Sequence, residues 1–164
     1  LFRSLNCLVQ PYAALWNELY DPAFEQDSWV PHIGVDNSVQ PKLGAVGPSW
    51  EWASPLRRAS DRRQALVEID AIVALMVGIN SEELASIYRS QFPVLQRYER
   101  EALYDANGRQ LPGKLASEYR KKGTLKAEDL TVERVTYVEP FVGVDRERDM
   151  ELAHKHFTAL VETP

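Results

Sequence analysis

The chain has 164 residues, of which 45% are hydrophobic, so it is long enough for one domain with a real core and too short for two. Its formal net charge of −5 argues against a protein that coats DNA unaided, because such a protein needs a basic excess; any nucleic-acid contact must be a local patch. The single cysteine, Cys7, excludes a disulfide framework or a cysteine-based zinc site within the chain and suits a reducing cytoplasm.

Residues 1–30 are predicted to form an N-terminal helical segment. Apolar side chains recur there close to helical spacing, and Pro11 marks a helix start or break, so we expect two short helices. The positions that carry this pattern are Leu5, Leu8, Tyr12, Leu15, Trp16 and Leu19.

Residues 31–54 are predicted to form a long loop, because prolines and glycines recur too often for a regular element. A loop of this length in a compact domain is usually functional, disordered or pinned to a surface. The tryptophans Trp50 and Trp52 favour pinning.

Residues 55–164 are predicted to form a helical core, with the whole chain making one compact domain. The core opens with a long helix, for which Ser54 is a plausible N-cap and Pro55 a plausible first helical residue. Gly78 can end this helix in a left-handed conformation.

A second helix follows closely. Asn80 and Glu83 form a variant of the capping box at its start, and the chain should leave the helix near Pro93. The two helices together predict a helical hairpin.

The remaining third of the chain predicts a small β component and a final helix. Asn107-Gly108 between two strand-like runs indicates a type I′ β-hairpin, and Gly123 ends a short helix rich in lysine. The run "RVTYVEPFVGV" predicts a strand interrupted by Pro140. The C-terminal stretch predicts an amphipathic helix with one apolar side, made of Met150, Ala153, Phe157, Leu160 and Val161. The expected fold class is therefore mainly α with a small β component (α+β).

The sequence also bears on compartment and completeness. No stretch approaches the roughly 18 uninterrupted apolar residues that a membrane span needs, and no signal-peptide pattern opens the chain. We therefore expect a cytoplasmic protein without membrane contact. Because the chain begins with Leu1 rather than Met, we also expect a piece of a longer polypeptide.

Two carboxylates, Glu68 and Asp70, lie in one of the most apolar runs of the chain, "VEIDAIVALM". On a helix they point about 160° apart, so they cannot share a substrate, a proton or a metal ion. The helix is apolar on nearly every side, which predicts burial, and buried carboxylates need partners. Arg63 lies within about 20° of Asp70 two turns earlier. We therefore predict structural ion pairs that tie helices together.

Four arginines, Arg57, Arg58, Arg62 and Arg63, stand at the predicted start of the same helix, where the helix dipole disfavours cations. One interpretation is that they meet an anionic surface, either DNA phosphate or an acidic flank of the longer protein. The other is local pairing with Asp61 and Glu68. The sequence leaves both open.

Other candidate sites are weaker. His154 and His156 project about 200° apart on a helix, so we expect no metal site. No nucleophile motif or glycine-rich phosphate loop occurs, and we predict no catalytic residue. Lys121 and Lys122 belong to a second basic patch, and Arg109 lies at the predicted hairpin tip. For these three, phosphate contact stands beside the ordinary alternative of a solvated surface.

The run "RRQALVEIDAIVALMVGINSEELASIYRSQFPVL" resembles a segment near the C-terminus of large adenine-N6-specific DNA methyltransferases of type IIG-like restriction–modification and related phage-defence systems. The flanking runs "YDANGR", "LNCLVQPYAALWNELYDPAF" and "PFVGVDRERDM" resemble actinobacterial members of this group. The residues that fit the central pattern are Arg63, Glu68, Ile69, Asp70, Ala71, Ile72, Val73, Ala74, Gly78, Ile79, Glu83, Leu84, Phe92, Pro93 and Val94.

The resemblance implies a parent enzyme that transfers a methyl group from S-adenosylmethionine to a base flipped from the duplex. That group's catalytic Asn/Asp-Pro-Pro-Tyr/Phe motif and its glycine-bearing cofactor motif are absent from this sequence. The expectation is a non-catalytic C-terminal accessory domain that holds no cofactor and contributes either to DNA binding and recognition or to domain packing beside the S-adenosylmethionine-dependent core. Its expected partners are the remainder of the parent methyltransferase and, in the DNA-binding case, double-stranded DNA. The alternative is a purely structural or protein-interaction helical module without DNA contact. A free-standing hydrolase or transferase has no supporting residues.

Overall fold

The computed structural model describes residues 1–35 and 40–162, and helices dominate it. The helices are α1 (Phe2–Asn6), α2 (Ala13–Glu18), α3 (Ala59–Met76), α4 (Ser81–Gln91), α5 (Pro93–Glu101), α6 (Gly113–Lys122) and α7 (Arg146–Glu162). The strands β1 (Thr131–Val132) and β2 (Val135–Thr136) pair antiparallel, with Thr131 opposite Thr136. The predicted fold class, mainly α with a small β component, is confirmed.

The N-terminal segment contains the two short helices that the sequence predicts, and Pro11 lies in a 3₁₀ turn that leads into α2. Trp16 of α2 is fully buried. The buried guanidinium of Arg3 lies 3.8 Å from the centre of the Trp16 ring and donates to the Trp16 carbonyl at 3.1 Å. The cation is thus stabilised by an aromatic face and a backbone acceptor.

The predicted loop is pinned by one of its two tryptophans. The indole N–H of Trp50 donates to the Cys7 carbonyl at 2.9 Å, which fastens the loop to α1. Trp52, in contrast, is 67% exposed. Residues 36–39 of this loop lie outside the described residues.

The long helix α3 begins at Ala59, so the predicted start at Ser54-Pro55 is wrong, and Arg58 occupies the N-cap position. The predicted glycine stop is confirmed. Gly78 has φ of +74°, its N–H donates to Leu75, and the N–H of Ile79 donates to Ala74, which is the Schellman pattern.

The start of α4 confirms the capping box, because Asn80 and Glu83 exchange side-chain and backbone hydrogen bonds at 3.0 Å each. Beyond α4 the structure departs from the prediction. The predicted helix end near Pro93 is confirmed, since α4 ends at Gln91, but Pro93 also opens a further helix, α5. Its fixed φ and missing N–H are tolerated at the first position of that helix.

The core lies where α7 packs along α3, with α4 against both. Buried side chains of these helices meet Val30 and Ile33 from the N-terminal half; they are Val67, Ala71, Tyr88, Met150 and Ala153. The predicted apolar side of α7 is correct at Met150, Ala153 and Phe157 but wrong at its end, where Leu160 is 60% and Val161 82% exposed. The predicted burial of α3 on nearly every side is also wrong, since Leu66, Val73 and Met76 are exposed.

The Asn107-Gly108 turn is not type I′. In this loop Gly108 has a positive φ, but Asn107 does not, and a type I′ turn requires a positive φ at both central residues. The carboxylate of Asp105 accepts the N–H groups of Asn107 and Arg109, and a single bridge joins Tyr104 to Gln110. The hairpin of the described chain is β1–β2, and its turn residues Glu133 and Arg134 carry positive φ of 49° and 70°.

In the described part of the chain, no single helix combines the length and apolar character needed to cross a membrane. The pair α3–α4 meets the length and composition test only jointly, and it is bent by 119°.

Candidate functional site

The two carboxylates of the apolar run have different surroundings. Asp70 forms an ion pair with Arg146 at 2.6 Å, and its side chain is 44% exposed. Glu68 is 1% exposed and accepts hydrogen bonds from the Val30 N–H at 3.1 Å and from Gln64 Nε2 at 2.8 Å. Asp70 therefore has an ion pair, but with Arg146 rather than Arg63. For Glu68 the predicted ion pair is replaced by hydrogen bonds to neutral groups.

Burial has a marked effect on Glu68. Removal of the carboxyl from water, only partly offset by the hydrogen bonds from Gln64 and Val30, raises its pKa to about 7. This carboxyl clamps residue 30 against α3 and lies among core side chains. It is a structural group without access to a substrate.

Arg63 is a buried core residue. Its Nε donates to Glu99 at 2.9 Å, and its Nη1 pairs with Asp149. Arg146 joins Glu99 at 2.8 Å as well as Asp70. We call these five residues of α3, α5 and α7 the charge cluster: Arg63, Asp70, Glu99, Arg146 and Asp149. Because Arg63 is only 5% exposed, the predicted contact of this residue with DNA phosphate is wrong.

The other arginines at the start of α3 also serve the fold. Arg58 pairs with Asp61 at 2.8 Å, as the local-pairing interpretation predicts. Arg62 Nη1 donates to the carbonyls of Leu5 and Leu56 at 2.9 and 3.1 Å. Together these contacts offset the unfavourable interaction between the arginine cations and the dipole of α3 at its start.

Arg57 is the exposed member of the four. Its Nε donates to the Trp52 carbonyl at 2.7 Å, and its Nη2 donates to the Leu8 carbonyl at 3.0 Å. Its guanidinium lies 3.6 Å from the centre of the exposed Trp52 ring. Arg57 therefore holds the loop onto the N-terminal segment while it stays open to solvent.

The remaining basic candidates are exposed. Arg109 donates to the Thr136 carbonyl at 3.1 Å, and Lys122 pairs with Glu118 at 3.2 Å. Lys121 is exposed at the end of α6. The structure thus leaves these three cations accessible to a polyanion.

The two histidines do not come together at a metal site. His154 Nε2 lies 2.9 Å from the Ile79 carbonyl, and His156 packs edge-on against Phe157. Across residues 1–35 and 40–162, no group of three or more His, Cys, Asp or Glu side chains is placed to hold a metal ion.

The largest departure from the sequence prediction is an apolar groove on the outside of the helical hairpin. It lies between α3, α4 and α5, with Arg146 and Met150 of α7 at its floor, and encloses about 370 Å³. We call it the apolar groove and define it by its apolar wall residues: Val73, Val77, Ile79, Leu84, Ile87, Phe92 and Leu95.

Four of the seven wall residues, Val73, Val77, Ile87 and Phe92, are exposed to solvent, and the other three are half-buried. Val77 is 64% exposed, Val73 51% and Phe92 49%. The helices that form the groove carry further exposed apolar side chains, with Met76 80% and Val94 65% exposed. A scattered exposed apolar residue needs no explanation, but a set that shares one groove is typical of an interaction surface.

Comparison of the chain with protein-family models, with curated proteins and with solved structures finds no match.

Proposed function

We propose that this chain is a non-catalytic C-terminal accessory module of a larger bacterial adenine-N6 DNA methyltransferase, and that it acts by packing against the rest of that protein. The resemblance of "RRQALVEIDAIVALMVGINSEELASIYRSQFPVL" to such enzymes supports the parent. S-adenosylmethionine and double-stranded DNA are then partners of the parent's core, and the cytoplasm is the compartment that this proposal implies.

The observation that carries the packing role is the exposed apolar groove. Exposure of apolar surface to water is unfavourable by about 25 cal/mol for each Å². A groove with exposed side chains such as Val77 and Phe92 on its wall therefore favours a protein partner that covers it. The internal use of Arg58, Arg62 and Arg63 supports the same conclusion, because these groups already have acceptors within the chain.

A direct DNA contact is the second candidate. It rests on the exposed cations Arg57, Arg109, Lys121 and Lys122. A net charge of −5 opposes it, because the chain as a whole repels phosphate.

A salt series separates the two candidates. We would measure fluorescence anisotropy of a random-sequence duplex with the 164-residue chain, beside an Arg109→Ala/Lys121→Ala/Lys122→Ala variant. The changed residues are exposed, so the variant should keep the wild-type circular dichroism. The packing role predicts no salt-dependent binding by either protein. Binding that weakens steeply with salt and falls in the variant would replace packing by DNA contact.

Methyl transfer provides a further check. The chain alone should transfer no labelled methyl group from S-adenosylmethionine to DNA, and turnover by the purified chain would contradict its assignment as an accessory module.

A further inference from the structure

The apolar groove is walled by helices. α3, α4 and α5 line it, and α7 closes its floor. A helix pairs its own backbone N–H and C=O groups, so these walls offer no strand edge to an extended peptide. An incoming helix satisfies its own backbone and packs its side chains between those of neighbouring helices. The groove therefore fits an amphipathic helix better than an extended segment.

The groove also sets the length over which it can contact a helix. It follows α3 from Asp70 to Val77. Seven helical residues span about 10 Å, which equals about two turns of an occupant helix. Apolar side chains at positions i, i+3 or i+4, and i+7 would enter the groove, as in other helix-in-groove complexes.

One end of the groove presents a negative charge. Asp70 and Arg146 line that end, and both belong to the charge cluster, in which three carboxylates meet two guanidinium groups. Asp70 is the accessible member of the pair, because its side chain is 44% exposed while that of Arg146 is 7% exposed. A partner at this end of the groove therefore meets the carboxylate of Asp70. The charge cluster to which Asp70 belongs has a formal net charge of −1.

We infer that the apolar groove binds an amphipathic protein helix that places apolar side chains in the groove and a lysine or arginine beside Asp70. This inference rests on the proposed function, because the rest of the longer polypeptide is the source of that helix. It adds the chemistry of the segment that covers the groove.

Two labelled peptides test the inference on the 164-residue chain. Both are 18-residue amphipathic helices with leucines at i, i+3, i+4 and i+7, and they differ only in whether lysines or glutamates flank the apolar face. Fluorescence anisotropy measures their affinity at low and high salt. We expect the lysine peptide to bind up to about fivefold more tightly than the glutamate peptide at low salt, with the difference reduced at high salt.

Variants at the groove sharpen the test. Val77→Asp places a charge against the apolar anchors and should weaken both peptides by about tenfold or more. Asp70→Asn should remove the preference between the peptides, since it removes the carboxylate that the lysine meets, while Arg146 keeps its pairing with Glu99. Val161→Asp is the matched control, because Val161 is equally apolar and 82% exposed but lies at the end of α7, outside the groove.

The outcomes separate this inference from the proposed function. A preference for the lysine peptide that Asp70→Asn removes, with Val161→Asp unchanged from wild type, supports the inference. Equal affinity for both peptides overturns the charge requirement. The absence of binding by either peptide overturns the inference as a whole. Neither result bears on the proposed packing role. Self-association of the chain that Val77→Asp abolishes, measured by sedimentation velocity, would make a second copy the occupant and overturn the inference. The proposed function is judged separately, by the DNA titration.

Discussion

Replacement of Glu68 by glutamine should make the protein more stable at high pH. Glu68 is 1% exposed, and burial raises its pKa from 4.5 to about 7. Because the folded pKa lies above the unfolded one, the stability that Glu68 contributes is fully present below pH 4.5 and is lost as the pH rises through 7. Glu68→Gln removes the titration while its Oε1 can still accept from the Val30 N–H and Gln64.

The magnitude follows from the two pKa values. One pKa unit corresponds to about 1.4 kcal/mol, so the full loss for wild type between pH 4 and pH 8 is about 3 kcal/mol. The difference between variant and wild type should therefore grow from near zero at pH 4 to about 3 kcal/mol at pH 8.

Urea unfolding of both proteins across this pH range measures the difference directly. Glu151→Gln is the matched control, because it makes the same chemical change at an exposed helical glutamate. Parallel profiles for wild type and Glu68→Gln would refute the reasoning, since they would mean that burial does not shift the titration of this carboxyl.

Three further substitutions test the packing of the fold. Arg63→Ala should lower the free energy of unfolding by about 3–5 kcal/mol, because it leaves Asp149 buried without its cation and leaves Glu99 with Arg146 alone; equal urea midpoints for variant and wild type would contradict this. Gly78→Ala should cost about 1 kcal/mol through its positive φ alone, since no atom crowds the new methyl group, while Gly47→Ala, also uncrowded but without positive φ, should cost much less. Asn80→Ala should cost about 1 kcal/mol by removing the capping box, and a thermal midpoint unchanged from wild type would count against that role.

The helical part of the fold could be predicted because its signals are local. The glycine stop at Gly78 and the capping box at Asn80 depend on residues within one turn of each other, and both are confirmed. The start of α3 was missed because Ser54-Pro55 carries the same local signal as a true helix start. α5 was missed because Pro93 fits the end of one helix and the beginning of the next equally well.

The partners of the charged residues could not be predicted, because they are distant along the chain. Glu68 meets the backbone of Val30, 38 residues away, and Arg63 meets Asp149, 86 residues away. The one usable signal was the pair Arg146 and Asp149, which lie one turn apart on α7 and face α3 together.

The groove was invisible to sequence reasoning for a different reason. Periodicity identifies an apolar face, but it does not say whether that face is covered by the same chain or by a partner. Leu66, Val73 and Met76 share one face of α3, for which the apolar pattern predicts burial, whereas the structure exposes all three side chains.

Methionine oxidation tests the central claim most directly, because the chain has two methionines with opposite exposure. Met76, beside the apolar groove, is 80% exposed, and Met150, in the core, is 1% exposed. We would measure the rate at which hydrogen peroxide oxidises each of them by mass spectrometry, in the 164-residue chain and in the longer polypeptide that the proposed function implies. The account predicts fast oxidation of Met76 in the chain alone, strong protection in the longer polypeptide, and slow oxidation of Met150 in both. Equally fast oxidation of Met76 in both proteins, with Met150 protected, would contradict the claim that this face packs against the rest of the parent.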